Sequence, residues 1–258
     1  MSFQILLSTM NDRIFDIDFN SKYSYVVVHQ ISNNKEADYE KYLNENLKCF
    51  DIEYVQSNIL GLSASRNIAM ETSSANIVWL MDDDTKILDG IDEQIKNYIS
   101  ASTSFVVLNY WLGDVLKAHG NSGSLINILN CAKISSISMC FSRVIIDQGI
   151  RFRTNFGLGS AYPSGEEYIF MADMLKHGYK GVFSDLVGCY HPPITSGMDF
   201  YSSKRKIFAK LHMFRQVFPR FYSLFILLFF VKKFPVLWKK ERVAFYIRSA
   251  LLFFALEK

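Results

Sequence analysis

Three consecutive carboxylates, Asp82, Asp83 and Asp84, are the residues of this chain whose spacing could hold a metal ion. They follow residues 77–81, a short, unbroken apolar run that predicts a strand buried on both faces, as in a parallel sheet. In an extended backbone Asp82 and Asp84 would project together while Asp83 faces away. A divalent cation with oxygen ligands would turn the repulsion between these like charges into a site. The alternative is a solvated acidic turn that only ends the strand.

Two further carboxylates, Glu166 and Glu167, open a stretch with the apolar spacing of a helix, for which Ser164 is the predicted N-cap and Gly178 the predicted stop. Acidic residues in a first turn favour the helix dipole, which is the purely structural explanation. The pair also follows the irregular connection 150–164, and connections of that length are usually functional or disordered. Their position therefore favours a catalytic role.

An arginine and a histidine come close to these acidic groups in the predicted order of elements. Arg66 lies one turn into a predicted helix over residues 62–73, with Ser63 as its predicted N-cap. An exposed helical arginine is usually a solvated charge, but this helix leads directly into the strand that carries the aspartates. His191 follows the last predicted strand, residues 179–190, and is either a capped loop residue or a ligand of a metal or diphosphate. The sequence leaves these two roles of His191 open.

The elements that must position these groups alternate between strands and helices, which predicts βαβ units, a parallel sheet and an α/β fold class. Ligands in such sheets bind beyond the carboxyl ends of the strands. Residues 113–123 are predicted to form a loop. Strands are predicted at residues 3–8, 23–29, 52–55, 77–81, 104–112, 134–141 and 179–190, and helices at residues 34–47, 62–73, 91–100, 142–148 and 164–178.

The charge is divided unevenly along the 258 residues, half of which are apolar. Residues 201–258 hold 13 Lys and Arg against 2 Asp and Glu, a net +11, and residues 1–200 hold 15 against 23, a net −8. This predicts two parts with different surroundings, a domain over residues 1–198 and a tail over residues 199–258. The four cysteines lie at no metal-ligand spacing, which favours free thiols in a reducing compartment. The first residues lack the pattern of a secretion signal, which predicts a cytoplasmic location.

The tail combines basic residues with apolar runs that are too short to cross a membrane, which takes about twenty residues. Residues 221–231 are followed by Lys232, Lys233 and Pro235, which are predicted to stop the run, and residues 243–256 contain an arginine. Such runs are typical of amphipathic helices lying on an anionic membrane, here the inner face of the cell membrane. Phe and Leu in these amounts suit lipid better than nucleic acid, so no nucleic acid partner is expected. The alternative is a helical cap on the core or on a second subunit of a homodimer.

Four local patterns in a fixed order resemble the family 2 glycosyltransferases, over roughly residues 3–197. They are Ser8-Thr-Met, Gly61-Leu-Ser-Ala-Ser-Arg-Asn, Met81-Asp-Asp-Asp-Thr, and Gly165-Glu-Glu before a helix and a His-Pro. The resemblance implies the GT-A fold, a Rossmann-like domain with a mixed, mainly parallel sheet flanked by helices. It also implies a nucleotide-sugar as ligand, with Mn²⁺ or Mg²⁺ as cofactor.

The resemblance further implies roles for individual residues. Asp84 would bind the metal, and Asp82 would lie near the metal and the ribose, with Asp83 at the nucleotide. Glu167 stands where the family commonly has the aspartate that acts as catalytic base, so the base is Glu167 or its neighbour Glu166. The other implied ligands are Ser8, Thr9, Gln30, Ser63 and Arg66 for the donor and His191 for the metal.

The resemblance as a whole implies an inverting glycosyltransferase. It would move one sugar from a nucleotide-diphosphate sugar, above all a UDP-sugar, to a hydroxyl of a lipid-linked or growing surface glycan. One alternative is a nucleotidyltransferase on a similar fold, but such enzymes usually carry a glycine-rich basic loop near the N-terminus, and residues 8–12 contain no glycine. The other is a non-catalytic membrane-peripheral binding protein, which would tolerate loss of the aspartates.

Overall fold

A mixed sheet flanked by helices forms the centre of the protein in this computed structural model, which describes residues 1–193 and 199–256. Its strands are β1 Phe3–Met10, β2 Ser24–Gln30, β3 Asp51–Ser57, β4 Ile77–Asp82, β5 Lys86–Ile87, β6 Phe105–Leu112, β7 Val115–Lys117, β8 Met139–Ser142 and β9 Gly181–His191. The helices are α1 Glu36–Asn46, α2 Leu62–Thr72, α3 Ile91–Tyr98, α4 Val144–Asp147, α5 Glu166–Lys176, α6 Lys204–Val217, α7 Tyr222–Lys239 and α8 Val243–Leu256.

The order of strands brings six carboxyl ends to one edge of the sheet. The order is β3-β2-β1-β4-β8-β6-β9-β5, with β7 paired to β6. The longer ladders are parallel and join β1 to β2 and β4, β2 to β3, and β6 to β9. Because β8 is antiparallel to both of its neighbours, β4 and β6 run in the same direction. The α/β class and the mixed, mainly parallel sheet are confirmed.

The central strands are buried on both faces, as their unbroken apolar runs predict. Two clusters of buried apolar residues cover the sheet, and successive residues of β1 belong to different clusters. Leu6 packs in one cluster with Phe170 of α5. Ile5 and Leu7 pack in the other with Ile91 of α3. The sheet is therefore held rigidly between two helical layers. Rigid strands position the polar residues at their carboxyl ends.

Both predicted serine N-caps are wrong by one or two residues. α2 begins at Leu62, so Ser63 lies inside the helix, and α5 begins at Glu166, so Ser164 lies before the cap. The caps are Gly61 and Gly165, whose φ angles are 123° and 107°. A side chain is strained at such angles, and glycine is the residue that adopts them freely. A positive φ at the cap outweighs the capping bond that a serine would make.

Two segments between strands also differ from prediction. The predicted loop 113–123 contains β7, which forms a short hairpin with β6. The predicted strand 134–141 begins only at Met139, because Ser136–Ser138 form a 3₁₀ turn. Ile134 and Ile137 are buried without being in a strand, so the alternation of apolar residues reflects packing of the turn.

The predicted helical tail is present as three helices. α6 packs against α5 as well as against α7 and α8. Pro235 does not end the second helix, which continues to Lys239. A proline in a helix removes the bond to the carbonyl four residues earlier, here that of the exposed Val231, so the lost bond is not buried. No helix in the described ranges is long and apolar enough to cross a membrane. The predicted boundary at residue 198 lies outside the described residues.

Candidate active site

The first aspartate lies at the edge of the sheet where the parallel strands end. Asp82 is the last residue of β4 and is in register with Ser8 of β1, which is buried. Its Oδ1 accepts a hydrogen bond from Nη2 of Arg66 at 3.0 Å. Because the strand ends at Asp82, the alternation of an extended backbone does not reach Asp84, and the prediction that Asp82 and Asp84 project together from the strand is wrong.

Asp83 is the buried member of the three carboxylates. It accepts a hydrogen bond from Oγ1 of Thr9 at 2.8 Å and forms an ion pair with Arg13. Burial raises the pKa of Asp83 to about 6, although Thr9 and Arg13 both act to lower it. Thr9 and Asp83, which are both predicted to lie at the nucleotide, therefore hold each other in place.

Asp84 and His191 face each other from the ends of β4 and β9. Nε2 of His191 lies 3.5 Å from Oδ1 of Asp84, and Nδ1 lies 2.6 Å from the carbonyl oxygen of Pro192. A carbonyl oxygen only accepts, so Nδ1 is the donor of this bond, and Nε2 is the ring nitrogen that faces the carboxylate. The pair therefore fits a divalent metal ion as one oxygen and one nitrogen ligand.

The protein supplies only part of the coordination that such an ion needs. Within residues 1–193 and 199–256, no three His, Cys, Asp or Glu side chains are grouped so that they could hold an ion. Mg²⁺ in proteins usually keeps waters and is bound through one or two carboxylates plus substrate phosphates. The side chain of Asp84 is 37% exposed and thus open to a ligand. Asp84 and His191 fit this mode, in which a donor diphosphate supplies further oxygens.

Arg66 is the centre of the site and is only 2% exposed. Its Nη2 donates to Oδ1 of Asp82 and, at 2.6 Å, to Oγ of Ser136. Its Nη1 lies 3.6 Å from Oε1 of Glu166, and the guanidinium stacks 5.5 Å from the ring centre of Phe152. Burial alone would lower the pKa of Arg66, but the charges of the surrounding carboxylates outweigh burial and raise it. Arg66 is therefore a buried, permanent cation and not a solvated charge.

Glu166 is the buried glutamate at the start of α5. Burial and the neighbouring charge of Glu167 raise its pKa, while Arg66 and Lys210 act to lower it. Oε2 of Glu166 and Nη1 of Arg66 have no hydrogen-bond partner among the described residues. An unpaired buried acceptor and donor cost free energy. Glu166 is 6% exposed and Arg66 2%, and these two unpaired atoms leave capacity for a bound hydroxyl or water.

Glu167 is partly exposed and is held from another side. Its Oε1 accepts a hydrogen bond from the backbone N–H of Ser136 at 2.8 Å and a longer one from Oγ of Ser135 at 3.4 Å. Since Ser136 also accepts from Arg66, both glutamates and Asp82 belong to one connected network. The sheet edge and the start of α5 therefore meet at a single site.

Two predicted donor ligands use their side chains to hold loops. Oε1 of Gln30 accepts from the backbone N–H of Gly61 at 2.7 Å, and Oγ of Ser63 donates to the carbonyl of Phe156 at 2.6 Å. These bonds fix the start of α2 and the connection before α5. Gln30 and Ser63 thus shape the site through the loops that they hold.

Three residues of the site were not assigned a role from the sequence. Arg13 pairs with Asp83 and lies 3.7 Å from Asp84, and Ser136 joins Arg66 to Glu167. Burial lowers the pKa of Lys210 in α6, although the charges of both glutamates act to raise it, and α6 packs against α5. Arg13 follows Thr9 closely in the sequence, and this position could have indicated a role at the nucleotide. No sequence pattern indicates a role for Ser136 or Lys210.

No protein-family model and no curated protein matches this chain. Solved structures share its fold. The first 349 residues of TarS from S. aureus in complex with UDP are 16% identical, with a TM-score of 0.53 over 86% of this chain and 72% of that one. The same protein with UDP-GlcNAc is 14% identical, with a TM-score of 0.54 over 84% and 66%.

A third structure covers nearly the whole chain. The mannosyltransferase PcManGT from Pyrobaculum calidifontis, in complex with GDP-Man and Mn²⁺, is 14% identical, with a TM-score of 0.57 over 98% of this chain and 75% of that one. Matching at this coverage extends into the C-terminal helices. At such identities the likeness shows the fold alone, and it confirms the predicted GT-A type of α/β fold.

Proposed function

We propose that the protein is an inverting glycosyltransferase of the family 2 type, which transfers one sugar from a nucleotide-diphosphate sugar to a glycan hydroxyl. The observation that carries this proposal is the buried Arg66, which lies between Asp82 at the sheet edge and Glu166 at α5. A donor bound at the sheet edge and an acceptor bound at α5 would meet there. Holding two reactants together in this way is a large part of catalysis.

The donor is assigned to the carboxyl edge of the sheet. The nucleotide would lie against a group of three residues, Thr9, Arg13 and Asp83. The ion, Mn²⁺ or Mg²⁺, would be held by Asp84 and His191. When bound, the ion would act as a Lewis acid and neutralise the negative charge on the leaving diphosphate. The neighbouring structures hold UDP, UDP-GlcNAc or GDP-Man, and one also holds Mn²⁺. These contents support a nucleotide-sugar donor, with a UDP-sugar as the first choice.

Glu167 is assigned as the general base. Its carboxylate is partly exposed, and a group that accepts a proton from an acceptor hydroxyl must be within reach of it. The acceptor oxygen forms its bond to the anomeric carbon as the bond to the diphosphate oxygen breaks, the configuration inverts, and the hydroxyl proton passes to Glu167. Glu166 is buried beside Arg66 and holds the guanidinium in position. A lipid-linked or growing surface glycan is the proposed acceptor.

Thermal unfolding with UDP, GDP or CMP, each with and without Mn²⁺, tests the donor side directly. Metal-dependent stabilisation by UDP is expected, and at one hundred times the Kd it amounts to about 2.7 kcal/mol. Asp84→Asn should lose this stabilisation, whereas Asp114→Asn, an exposed carboxylate in the turn after β6, should keep it. If UDP with Mn²⁺ stabilises the Asp84 variant as much as the wild-type protein, Asp84 is not a metal ligand.

Incubation with labelled nucleotide-sugars and a membrane extract tests the reaction itself. The proposal predicts that label moves from one donor into the extracted glycan or lipid fraction. Failure of every donor to react, together with an absence of stabilisation by any nucleotide, would contradict a transferase function.

A further inference from the structure

The second tail helix, α7, has apolar residues on two opposite faces. Ile226 and Leu237 are buried against the other helices. The opposite face should be polar in a helix that borders water. Instead it is an exposed apolar stripe with the spacing of one helix face, formed by Leu224, Leu227, Leu228, Val231, Phe234 and Trp238.

The stripe continues across a groove onto α8. The groove has a volume of about 190 Å³ and lies between the two helices, with Leu227, Ile247 and Leu251 on its exposed rim. Tyr246 lines it, is 1% exposed, and has a hydroxyl without a hydrogen-bond partner among the described residues. We call the stripe, this groove and the exposed leucines of α8 the apolar face. Twelve of the large apolar residues that are exposed in the described ranges lie in residues 221–256.

The charges around the apolar face are almost all positive. Residues 219–256 contain seven Lys and Arg and one acidic residue, Glu241. Lys232 and Lys239 flank the stripe on α7, and Arg248 lies among the exposed residues of α8. Long basic side chains can place their charge at the headgroups while their stems lie along apolar surface. An exposed tryptophan, Trp238, is a residue that favours the membrane interface.

We propose that the apolar face binds the surface of an anionic lipid membrane, with α7 and α8 lying in the interface and the groove taking part of one lipid chain. The positive charge selects lipid over a second copy of this chain, because two such faces would repel each other. Helices of this kind gain from both apolar burial and attraction to anionic headgroups. The face is joined to the active site through α6, which packs on α5 as well as on α7 and α8.

This inference is independent of the proposed reaction and is tested without any donor. The full chain is mixed with vesicles of phosphatidylglycerol and phosphatidylcholine, or of phosphatidylcholine alone, and floated in a density gradient. Flotation is expected with the anionic vesicles, and it should decrease as salt is raised. Failure of the wild-type chain to float with anionic vesicles overturns the proposal.

A pair of double variants with equal charge identifies the surface. Leu227→Glu with Leu251→Glu places two charges on the groove rim, and Leu125→Glu with Leu129→Glu places them on leucines of similar exposure outside the tail. The first pair should reduce the partition coefficient by roughly a hundredfold, and the second should leave it near the wild-type value. Equal flotation of both double variants overturns the assignment of this face.

The other possible occupant of the apolar face is a second copy of this chain. Measuring the molar mass of the wild type and of each variant in solution tests for it. All four residues are exposed, so both double variants should fold, which thermal unfolding verifies. A wild-type dimer that becomes monomeric with Leu227→Glu and Leu251→Glu, and that does not bind vesicles, would show that a second copy covers the face and would overturn the proposal.

Discussion

At the scale of single residues, the site depends on one buried arginine surrounded by carboxylates. Arg66 donates to Asp82 and Ser136 and lies beside Glu166. Moving a guanidinium out of water costs several kcal/mol, which the attraction of the carboxylates offsets. The sequence could place Arg66 near the aspartates, because α2 leads directly into β4. It could not show that Arg66 is buried, since burial depends on Ser136 and on a helix one hundred residues away.

Replacement of Arg66 should therefore be severe. Arg66→Met removes the cation and leaves the buried Glu166 and the partly exposed Asp82 without a counter-charge, which should destabilise the fold by about 3–5 kcal/mol. Arg153→Met, which breaks the ion pair of a more exposed arginine with Asp173, should cost only about 0–1 kcal/mol. Urea unfolding of both variants measures the difference. Similar losses in the two variants would mean that Arg66 is not the buried hub described above.

The buried Glu166 should also make stability depend on pH. Its pKa is raised in the folded state, so the folded protein holds a proton that the unfolded chain releases first. The stability from this group is complete below the ordinary glutamate pKa and is lost as pH rises through the raised value. Glutamine does not titrate, so Glu166→Gln should not lose this stability as the pH rises. The stability of the variant relative to wild type should therefore increase from pH 4 to pH 8 in urea unfolding, and a constant or falling difference would contradict the assignment.

At the scale of elements, most apolar runs predicted strands correctly, and both predicted helix caps were wrong where glycine takes a positive φ. Gly61 and Gly165 replace the predicted serine caps, and both precede residues of the site. A pattern of apolar residues does not report the φ angle of the residue before a helix. It can therefore locate a helix without identifying its first residue. The late start of β8 has another cause, because a 3₁₀ turn occupies Ser136–Ser138, and the backbone N–H of Ser136 in this turn donates to Glu167.

Gly165 tests this point, because it also packs closely against α6. A Cβ at this position would lie 3.0 Å from Cγ of Met213, whereas a Cβ on Gly149, which also has a positive φ, meets nothing within 4 Å. Gly149→Ala should cost about 1 kcal/mol from backbone strain, and Gly165→Ala should cost more. Urea unfolding of the two variants measures the added cost. Equal costs would show that α6 can move away from α5 freely.

At the scale of the whole molecule, the site is assembled from segments far apart in the chain. Thr9, Arg66, Asp82 and Glu166 meet because parallel strands end at one edge and α5 begins there. The sequence could predict that edge, because alternating strands and helices imply it. It could also predict the basic tail. The packing of α6 on α5 could not be predicted, because the tail pattern does not say which face of α6 meets α5.

The most direct test of the central claim is the release of nucleoside diphosphate by Glu167→Gln, measured with the donor that the wild-type protein uses. The substitution keeps the shape of the side chain and removes its ability to take a proton. We expect a loss of about 10²–10⁴-fold in rate, with nucleotide-dependent thermal stabilisation retained. Glu40→Gln, on the exposed face of α1, is the control and should react at the wild-type rate. Wild-type turnover by the Glu167 variant would contradict the account.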